Sequence, residues 1–275
     1  MHPIERLRYV ARADGAGPSL LVREAAGALA SFADDPAALV TACRRLVDRH
    51  STVGPMWWLA ARVLSADDAG REAWSSARVL DDDTTPAVLA EQLPADVTVT
   101  ILGWPELVSA GLGARADVGV LVVDSFGEGS GLAAGLEAAG VSAVDVPESG
   151  LGAAVVGSGL VLLEANALGP DGFVALSGAR AAAAVGRLAG IGVWLVAGEG
   201  RALPARLWDA LRRRMEGLDD PWDGLEEIVP LSWCDRVIGP SGVVDGPFDR
   251  TRGPGRADCP VAPELLKPVG GWSAG

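Results

Sequence analysis

The chain has 275 residues, 49% of them hydrophobic and 21% charged, which is enough for one large domain or two modest ones with a buried core. Its formal charge of −13 excludes a general nucleic-acid binder, because phosphate binding requires a basic face. No apolar run reaches the ~20 residues that cross a bilayer, and the charged start lacks the apolar core of a signal peptide, so we expect a cytoplasmic protein with no membrane partner.

Residues 1–92 are predicted to form an N-terminal helical domain. Apolar residues recur there at helical spacing, and helix-start signals separate the segments. Asp35, which is followed by a proline, is a typical N-cap. We expect a helical bundle whose core contains Trp57, Trp58 and Trp74, since large aromatic side chains dominate buried area.

From residue 97, short segments rich in valine and leucine alternate with helical segments. This alternation is typical of an α/β fold, with a mostly parallel, Rossmann-like sheet and helices on both faces. We assign residues 93–240 to this domain. Right-handed crossovers would bring the carboxyl ends of its strands to one edge, where ligands bind in open sheets. The predicted strands are 97–102, 118–124, 142–146, 159–164, 173–176 and 192–197.

Residues 241–275 form a third region, which is rich in proline and glycine. Such a composition interrupts helices and strands. We therefore predict an extended tail with little regular structure, which is either disordered or wraps the surface or a partner subunit.

The cysteines and histidines restrict the chemistry. Cys43, Cys234 and Cys259 are far apart and odd in number, which favours reduced thiols over a disulfide framework. The two histidines, His2 and His50, both lie in the helical part, so neither a structural zinc site nor a Ser-His-Asp triad is expected. We predict no metal and no cofactor. Any chemistry would rest on carboxylates, hydroxyls, arginine or backbone amides.

Several loops at the predicted sheet edge carry groups suited to an anionic ligand. Helix starts present free N–H groups, and glycine lets a ligand approach the backbone. Arg201 is a candidate phosphate clamp. The alternatives are plain turn chemistry for the glycine loops and a surface role for the arginine. The candidate ligand-binding residues are Gly103, Trp104, Asp124, Ser125, Gly129, Ser130, Ser177, Gly178 and Arg201.

Two stretches of the chain resemble a known family. "LLEANALGPDGFVALSGA" (162–179) is similar to that family's strand, turn and helix start, and "VWLVAGEGRALP" (193–204) is similar to its next strand and ligand loop. The family comprises methylthioribose-1-phosphate isomerase, ribose-1,5-bisphosphate isomerase and the alpha, beta and delta subunits of eukaryotic translation initiation factor 2B. The resemblance covers residues 5–240. It implies the same α/β fold, a sugar phosphate or nucleotide as ligand, and a homodimer.

The chain departs from the isomerases of this family at their functional positions. The resemblance puts the Cys of their proton-moving Cys–Asp pair in the loop Gly103–Glu106, which has no thiol or hydroxyl, and puts the Asp at Asn166. An amide has no pKa near 7 and cannot shuttle a proton. The family's Asn-Lys pair becomes Leu176-Ser177. Glu164, alone or paired with Glu106, could supply a displaced carboxylate if burial raised one pKa, so the candidate catalytic residues are Glu164 and Asn166.

Three functions follow from these patterns. The first is a non-catalytic, initiation-factor-2B-like protein that binds a sugar phosphate, a nucleotide or a protein partner in a regulatory role. The second is an aldose–ketose isomerase of a phosphorylated pentose that uses a displaced carboxylate. The third is a structural or assembly module whose ligand edge is vestigial or filled by Trp104.

Overall fold

A computed structural model describes residues 17–216, 220, 222–248 and 259–267. The predictions made for residues 1–16, and for the parts of the tail at 249–258 and 268–275, lie outside the described residues. Along the described ranges, no helix is both long and apolar enough to cross a membrane.

The N-terminal part is helical. Its helices are α1 (Pro18–Ala30), α2 (Pro36–Arg49), α3 (Gly54–Ser65), α4 (Ala69–Asp81) and α5 (Thr85–Gln92). The Asp35 side chain caps α2 by accepting a hydrogen bond of 3.0 Å from the amide of Ala38. Trp57 and Trp58 are buried in the core, as predicted, whereas Trp74 is 46% exposed on the surface of α4.

An α/β part follows the helices. Its strands are β1 (Thr98–Leu102), β2 (Gly119–Val123), β3 (Ser142–Val146), β4 (Leu160–Glu164), β5 (Ala167–Leu168), β6 (Gly172–Leu176), β7 (Gly192–Val196), β8 (Glu226–Pro230), β9 (Arg236–Gly239) and β10 (Gly242–Asp245). The helices between them are α6 (Glu106–Leu112), α7 (Gly129–Ala138), α8 (Leu151–Gly157), α9 (Ala179–Ala189) and α10 (Ala205–Met215). All six strands predicted from the alternation are present, each within one residue of its predicted bounds.

Seven of the strands form one twisted sheet in the order β10-β9-β7-β4-β1-β2-β3. Every neighbouring pair is parallel except β9 and β10. One face carries a core that includes α8 and α9, and the other carries a core that includes α5, α6 and α7. The predicted α/β fold class is therefore confirmed. Because the chain builds outward from β1 to β3 and then returns to β4 on the other side of β1, the sheet has its topological switch point between β1 and β4.

The prediction that β6 belongs to this parallel sheet is wrong. β6 pairs antiparallel with β5 and with β8 in a separate three-stranded sheet. The reason is a tight turn after β5, in which the Gly169 amide donates a hydrogen bond of 2.8 Å to the Gly172 carbonyl. This turn reverses the chain, so that β6 runs back along β5 and cannot join the parallel strands.

The region predicted as a tail has regular structure in its described residues. β10 pairs with β9 as a hairpin and extends the main sheet. Gly242, the first residue of β10, has a φ of +113°, a conformation that glycine adopts without steric cost. Further along, Leu265 is fully buried against the helical core. The prediction failed here because apolar residues at only a few positions are enough to pair a short strand or dock a single turn.

The helical and α/β parts pack against each other through shared hydrophobic clusters. Leu207, Trp208 and Leu211 of α10 are buried among side chains of α1 to α4. Conversely, Leu89 of α5 packs with the residues of the sheet core. The predicted boundary between residues 92 and 93 thus follows the change from helices to strands, while the packing crosses it in both directions.

Gly169 lies directly under Trp208, and a Cβ atom there would be 2.1 Å from the indole ring. We expect Gly169→Ala to lower the free energy of unfolding by about 1–3 kcal/mol or more, because the buried indole, which also donates a hydrogen bond of 2.9 Å to Asp171, cannot move without losing that bond. The control is Gly135→Ala in α7, because a Cβ there would meet nothing within 4 Å. This substitution should stabilise the helix by ~0.5–1 kcal/mol. Urea unfolding measures both; equal midpoints for wild type and Gly169→Ala would contradict the packing.

Candidate functional site

A cleft of about 780 Å³ opens at the switch point of the sheet. One wall is made by the carboxyl ends of β1, β4 and β6 with the loops behind them, and the other by the start of α1 and the α2–α3 connection. Ligands of open α/β sheets bind at this place. The charged and larger polar residues that line the cleft are Arg49, His50, Thr52, Trp104, Glu106, Glu128, Glu164, Asn166 and Glu226.

Glu164, at the end of β4, is engaged on both carboxylate oxygens. Its Oε2 accepts hydrogen bonds from the amides of Leu107 at 2.9 Å and Val108 at 3.0 Å, in the first turn of α6. Its Oε1 forms an ion pair of 2.8 Å with Nη1 of Arg201, and the same nitrogen donates a hydrogen bond of 2.6 Å to the Ala165 carbonyl. The carboxylate predicted to be catalytic therefore joins a helix start to a buried arginine.

Arg201, the predicted phosphate clamp, is not among the residues that line the cleft. Its side chain is 2% exposed. Besides Glu164, it faces Glu106, whose Oε2 lies 4.0 Å from Nη2 of Arg201. A guanidinium held between two carboxylates is neutralised inside the protein. This arrangement differs from the exposed cation that phosphate binding would need.

The loop after β2 is closed by its own aspartate. Asp124 accepts a hydrogen bond of 2.8 Å from the amide of Gly129 at the start of α7. A Cβ on Gly129 would lie 2.8 Å from Cα of Asp124, so only glycine permits this close fold. Ser125 is buried and Ser130 is exposed, and neither lines the cleft. The amide of Gly129, which we expected to bind an anion, therefore donates to a carboxylate of the chain itself.

A carboxylate from β8 binds the backbone amides at the start of α9. Glu227 accepts hydrogen bonds from the amides of Gly178 and Arg180, both at 2.8 Å. Ser177 donates its hydroxyl hydrogen to the carbonyl of Gly224. Both residues of this predicted anion site, Ser177 and Gly178, thus have partners within the protein.

Asp83, which follows α4, ties down the loop after β7. Its two oxygens accept hydrogen bonds of 2.8 Å from the amides of Glu199 and Thr85. A Cβ on Gly198 would lie 2.2 Å from the Asp83 carboxylate, so the glycine makes room for it. In all four helix starts and loops where we expected an anion, backbone amides already donate to a carboxylate of this chain.

Gly103 and Trp104 shape the mouth of the cleft. Gly103 has a φ of +59°, and a Cβ there would lie 2.6 Å from Leu176, so the turn requires glycine. The turn directs Trp104 outward, where its side chain is 54% exposed and its ring edge lies over Gly131. Trp104 therefore lines the cleft at its rim and does not fill it.

Asn166 holds a second carboxyl group in the cleft wall. Its Nδ2 donates a hydrogen bond of 2.9 Å to Glu226 at the start of β8, and Thr52 hydrogen-bonds the same carboxyl. Burial raises the pKa of Glu226 above the ordinary value of 4.5, while the two hydrogen bonds act in the opposite direction. The Asn166 carbonyl also accepts a hydrogen bond of 2.8 Å from the Gly54 amide, which fixes the pair between the two parts of the chain.

Glu106 carries a carboxylate oxygen that faces Arg201 without a hydrogen bond. Its Oε2 is buried and makes no hydrogen bond to any residue that the structure describes. The residue opens α6, and Gly17 faces it from the other wall: a Cβ built there would lie 3.4 Å from the carboxyl group. Within the described part of the chain, no three His, Cys, Asp or Glu side chains are grouped to hold a metal ion.

Three carboxylates of this region were missed by the sequence reasoning: Asp83, Glu226 and Glu227. Asp83 ends a run of aspartates that reads as the polar end of a helix. Glu226 and Glu227 precede the apolar residues of β8, and a pair of charges entering a strand is the signal that could have revealed them.

In comparisons with known proteins, no family model and no curated protein matches this chain. Solved structures share its fold. Translation initiation factor eIF-2B of Pyrococcus horikoshii OT3 aligns over 89% of this chain and 97% of its own, with a TM-score of 0.74 and 16% identity. The tetrameric eIF2B-beta2-delta2 complex from C. thermophilum aligns over 90% of both chains, with a TM-score of 0.73 and 17% identity. The delta subunit of eIF-2B from A. fulgidus gives a TM-score of 0.59 at 15% identity, over 89% of this chain and 88% of its own.

These structures confirm the predicted resemblance at the level of the fold. The alignments extend over nearly the full length of the eIF2B chains, so the helical part and the α/β part are both included. At this sequence identity the likeness establishes architecture, while function has to be argued from the site.

We expect Glu164→Gln to lower the free energy of unfolding by about 3–5 kcal/mol, because it leaves the buried Arg201 without its closest counter-charge. Combining it with Arg201→Met should recover part of this loss, since both charges are then removed. Glu137→Gln, on the exposed side of α7, should stay within ~0.5 kcal/mol of wild type. Chemical denaturation measures all three, and a Glu164→Gln protein as stable as wild type would contradict a structural ion pair.

Glu226 should make stability depend on pH. Because its folded-state pKa is raised, the folded chain binds this proton more tightly than the unfolded chain, and the associated stability is lost as pH rises from 4.5 through the folded pKa. Glu226→Gln stays neutral and keeps an acceptor for Asn166. Its stability relative to wild type should therefore increase across this pH window, as measured by urea unfolding at each pH. A constant difference would show that Glu226 titrates normally.

Proposed function

We propose that this chain is a non-catalytic regulatory protein with the fold of an eIF2B subunit, and that it binds a small sugar-like ligand in the cleft between β1 and β4. The observation that carries the proposal is an open cleft at the switch point whose carboxylate at the strand end is already bound by three internal donors. Sugar phosphates and nucleotides, which the resemblance implies, are the ligands to test alongside their unphosphorylated forms.

The proposal assigns two kinds of role to the predicted site residues. Trp104, Glu106 and Asn166 line the cleft and would contact the ligand. Most of the others support the cleft without lining it, through tight turns, internal hydrogen bonds or burial, so they would position its walls. These supporting residues are Gly103, Asp124, Ser125, Gly129, Ser177, Gly178 and Arg201. Ser130 is exposed outside the cleft and takes neither role.

The two candidate proton-moving residues, Glu164 and Asn166, support a non-catalytic role. Both carboxylate oxygens of Glu164 are already engaged, Oε2 by two amides of α6 and Oε1 by Arg201, so neither is available to a substrate. Asn166 has no acidic proton and is tied to Glu226. A general base needs a group within reach of the substrate that can exchange a proton near neutral pH.

A second candidate is the aldose–ketose isomerase with a displaced carboxylate. The observation that favours it is Glu226, because a carboxyl with a raised pKa in a cleft wall is a typical acid–base group. In this candidate Glu226, oriented by Asn166, takes the role that we first considered for Glu164.

A third candidate is an assembly module. Trp104, Phe126 and Trp222 are large apolar side chains that are more than half exposed. One structure of the same fold is a tetrameric complex of eIF2B beta and delta subunits. Exposed aromatic side chains are enriched in protein interfaces, so a homodimer or a protein partner would cover one or more of them.

The test is calorimetric titration with ribose 5-phosphate, methylthioribose 1-phosphate, AMP and GDP, and with ribose and adenosine. We expect saturable binding of at least one compound and no product after long incubation. At ~100 times its dissociation constant, such a ligand should stabilise the fold by ~2.7 kcal/mol. Trp104→Ala should weaken binding about five- to ten-fold, whereas Trp74→Ala, on the surface of α4, should leave it unchanged.

The other outcomes separate the three candidates. Isomerisation of a sugar phosphate that is abolished by Glu226→Gln would replace the proposal with the enzyme. Absence of binding across all six compounds, together with self-association in sedimentation velocity, would replace it with the assembly module.

A further inference from the structure

We infer that the cleft takes an uncharged, hydroxyl-bearing ligand, a sugar or nucleoside, and discriminates against the phosphorylated form of the same molecule. This inference rests on the proposed ligand-binding function and specifies the chemical class of its ligand. Three independent features of the described residues support it: occupied amides, excess carboxylate in the walls, and hydrogen-bond acceptors that line the cleft.

The backbone amides at the sheet edge are already used. A phosphate at an edge of this kind is normally held by free N–H groups at helix starts. Here Glu164 accepts from α6, Asp124 from α7 and Glu227 from α9. A phosphate could reach these amides only by displacing a carboxylate that the fold itself supplies.

The charges in the walls also oppose a phosphate. Glu106, Glu128, Glu164 and Glu226 line the cleft. Arg201 is buried behind the wall against Glu164 and Glu106. Among the described residues that line the cleft, Arg49 is the one arginine or lysine, and it belongs to the helical side. A dianion between these walls meets more like charge than opposite charge.

What the cleft offers instead is hydrogen-bond acceptors. Glu106 lines the cleft with a side chain that is 38% exposed, so its carboxylate can accept from a ligand, while its buried Oε2 lies 4.0 Å from Nη2 of Arg201. The amide of Asn166 uses its nitrogen for Glu226, and the side-chain oxygen is left as an acceptor. Hydroxyl groups can donate to both, and a hydroxyl bound to a carboxylate forms a short, strong hydrogen bond. A phosphate dianion has no hydrogen to donate.

Trp104 completes the site with a flat apolar surface. Its side chain is more than half exposed at the rim, on the same side of the cleft as Glu106. A sugar face or a nucleobase can stack on an indole ring with its hydroxyls directed inward. The combination of ring surface and inward acceptors matches a polyhydroxylated ring compound.

The experiment compares matched pairs, ribose with ribose 5-phosphate and adenosine with AMP, by calorimetry on the full chain. We expect at least one unphosphorylated member to bind about ten-fold or more tightly than its phosphorylated partner. Glu106→Gln should reduce this ratio, because it removes both a strong acceptor for hydroxyls and a charge that repels phosphate. Glu137→Gln, outside the cleft, should preserve the ratio and serves as the matched control.

Equal or tighter binding of the phosphorylated members would overturn the inference and leave the proposed ligand-binding function standing. A preference for the unphosphorylated members that survives unchanged in Glu106→Gln would overturn the role given to its carboxylate. If neither member of either pair binds, the ligand-binding function fails and the inference fails with it.

Discussion

The buried ion pair between Glu164 and Arg201 is the interaction on which the switch-point edge of the sheet depends. It joins the end of β4 to the loop after β7, and through the amides of Leu107 and Val108 it also fixes the start of α6. The position of α6 in turn sets the loop that carries Trp104. Charges removed from water are tolerated only when each has a full set of partners, and here the carboxylate has an arginine and two amides.

Other carboxylates around this edge also accept hydrogen bonds from backbone amides, so part of the acidic composition has a structural role. Asp83, Asp124 and Glu227 each accept backbone hydrogen bonds at a helix start or a loop. A carboxylate at the amino end of a helix also interacts favourably with the helix dipole. Part of the net charge of −13 therefore belongs to groups that organise loops, in addition to groups that keep the surface solvated.

Most of the architecture could be predicted from the sequence, because the period of apolar residues reports directly on helices and strands. The placement of β6 could not, since its partner β8 lies some fifty residues away and only the pairing decides the sheet. Similarly, the loops at the sheet edge could be located from the sequence, but not the carboxylates to which their backbone amides donate. Arg201 looks like a surface cation until its pairing with Glu164 is known, and Glu226 reaches the cleft only because β8 pairs with β6.

The packing of α10 has a consequence for how the cleft could work. Because Leu207, Trp208 and Leu211 lie in the core of the helical part, the helix that follows the edge loop of β7 anchors one wall of the cleft to the other. Hinge closure around a ligand needs two bodies joined by few contacts, and this chain does not have that arrangement in its described residues. The two walls are instead joined by a shared core, so a ligand of the proposed kind would lose little affinity to rearrangement of one wall against the other.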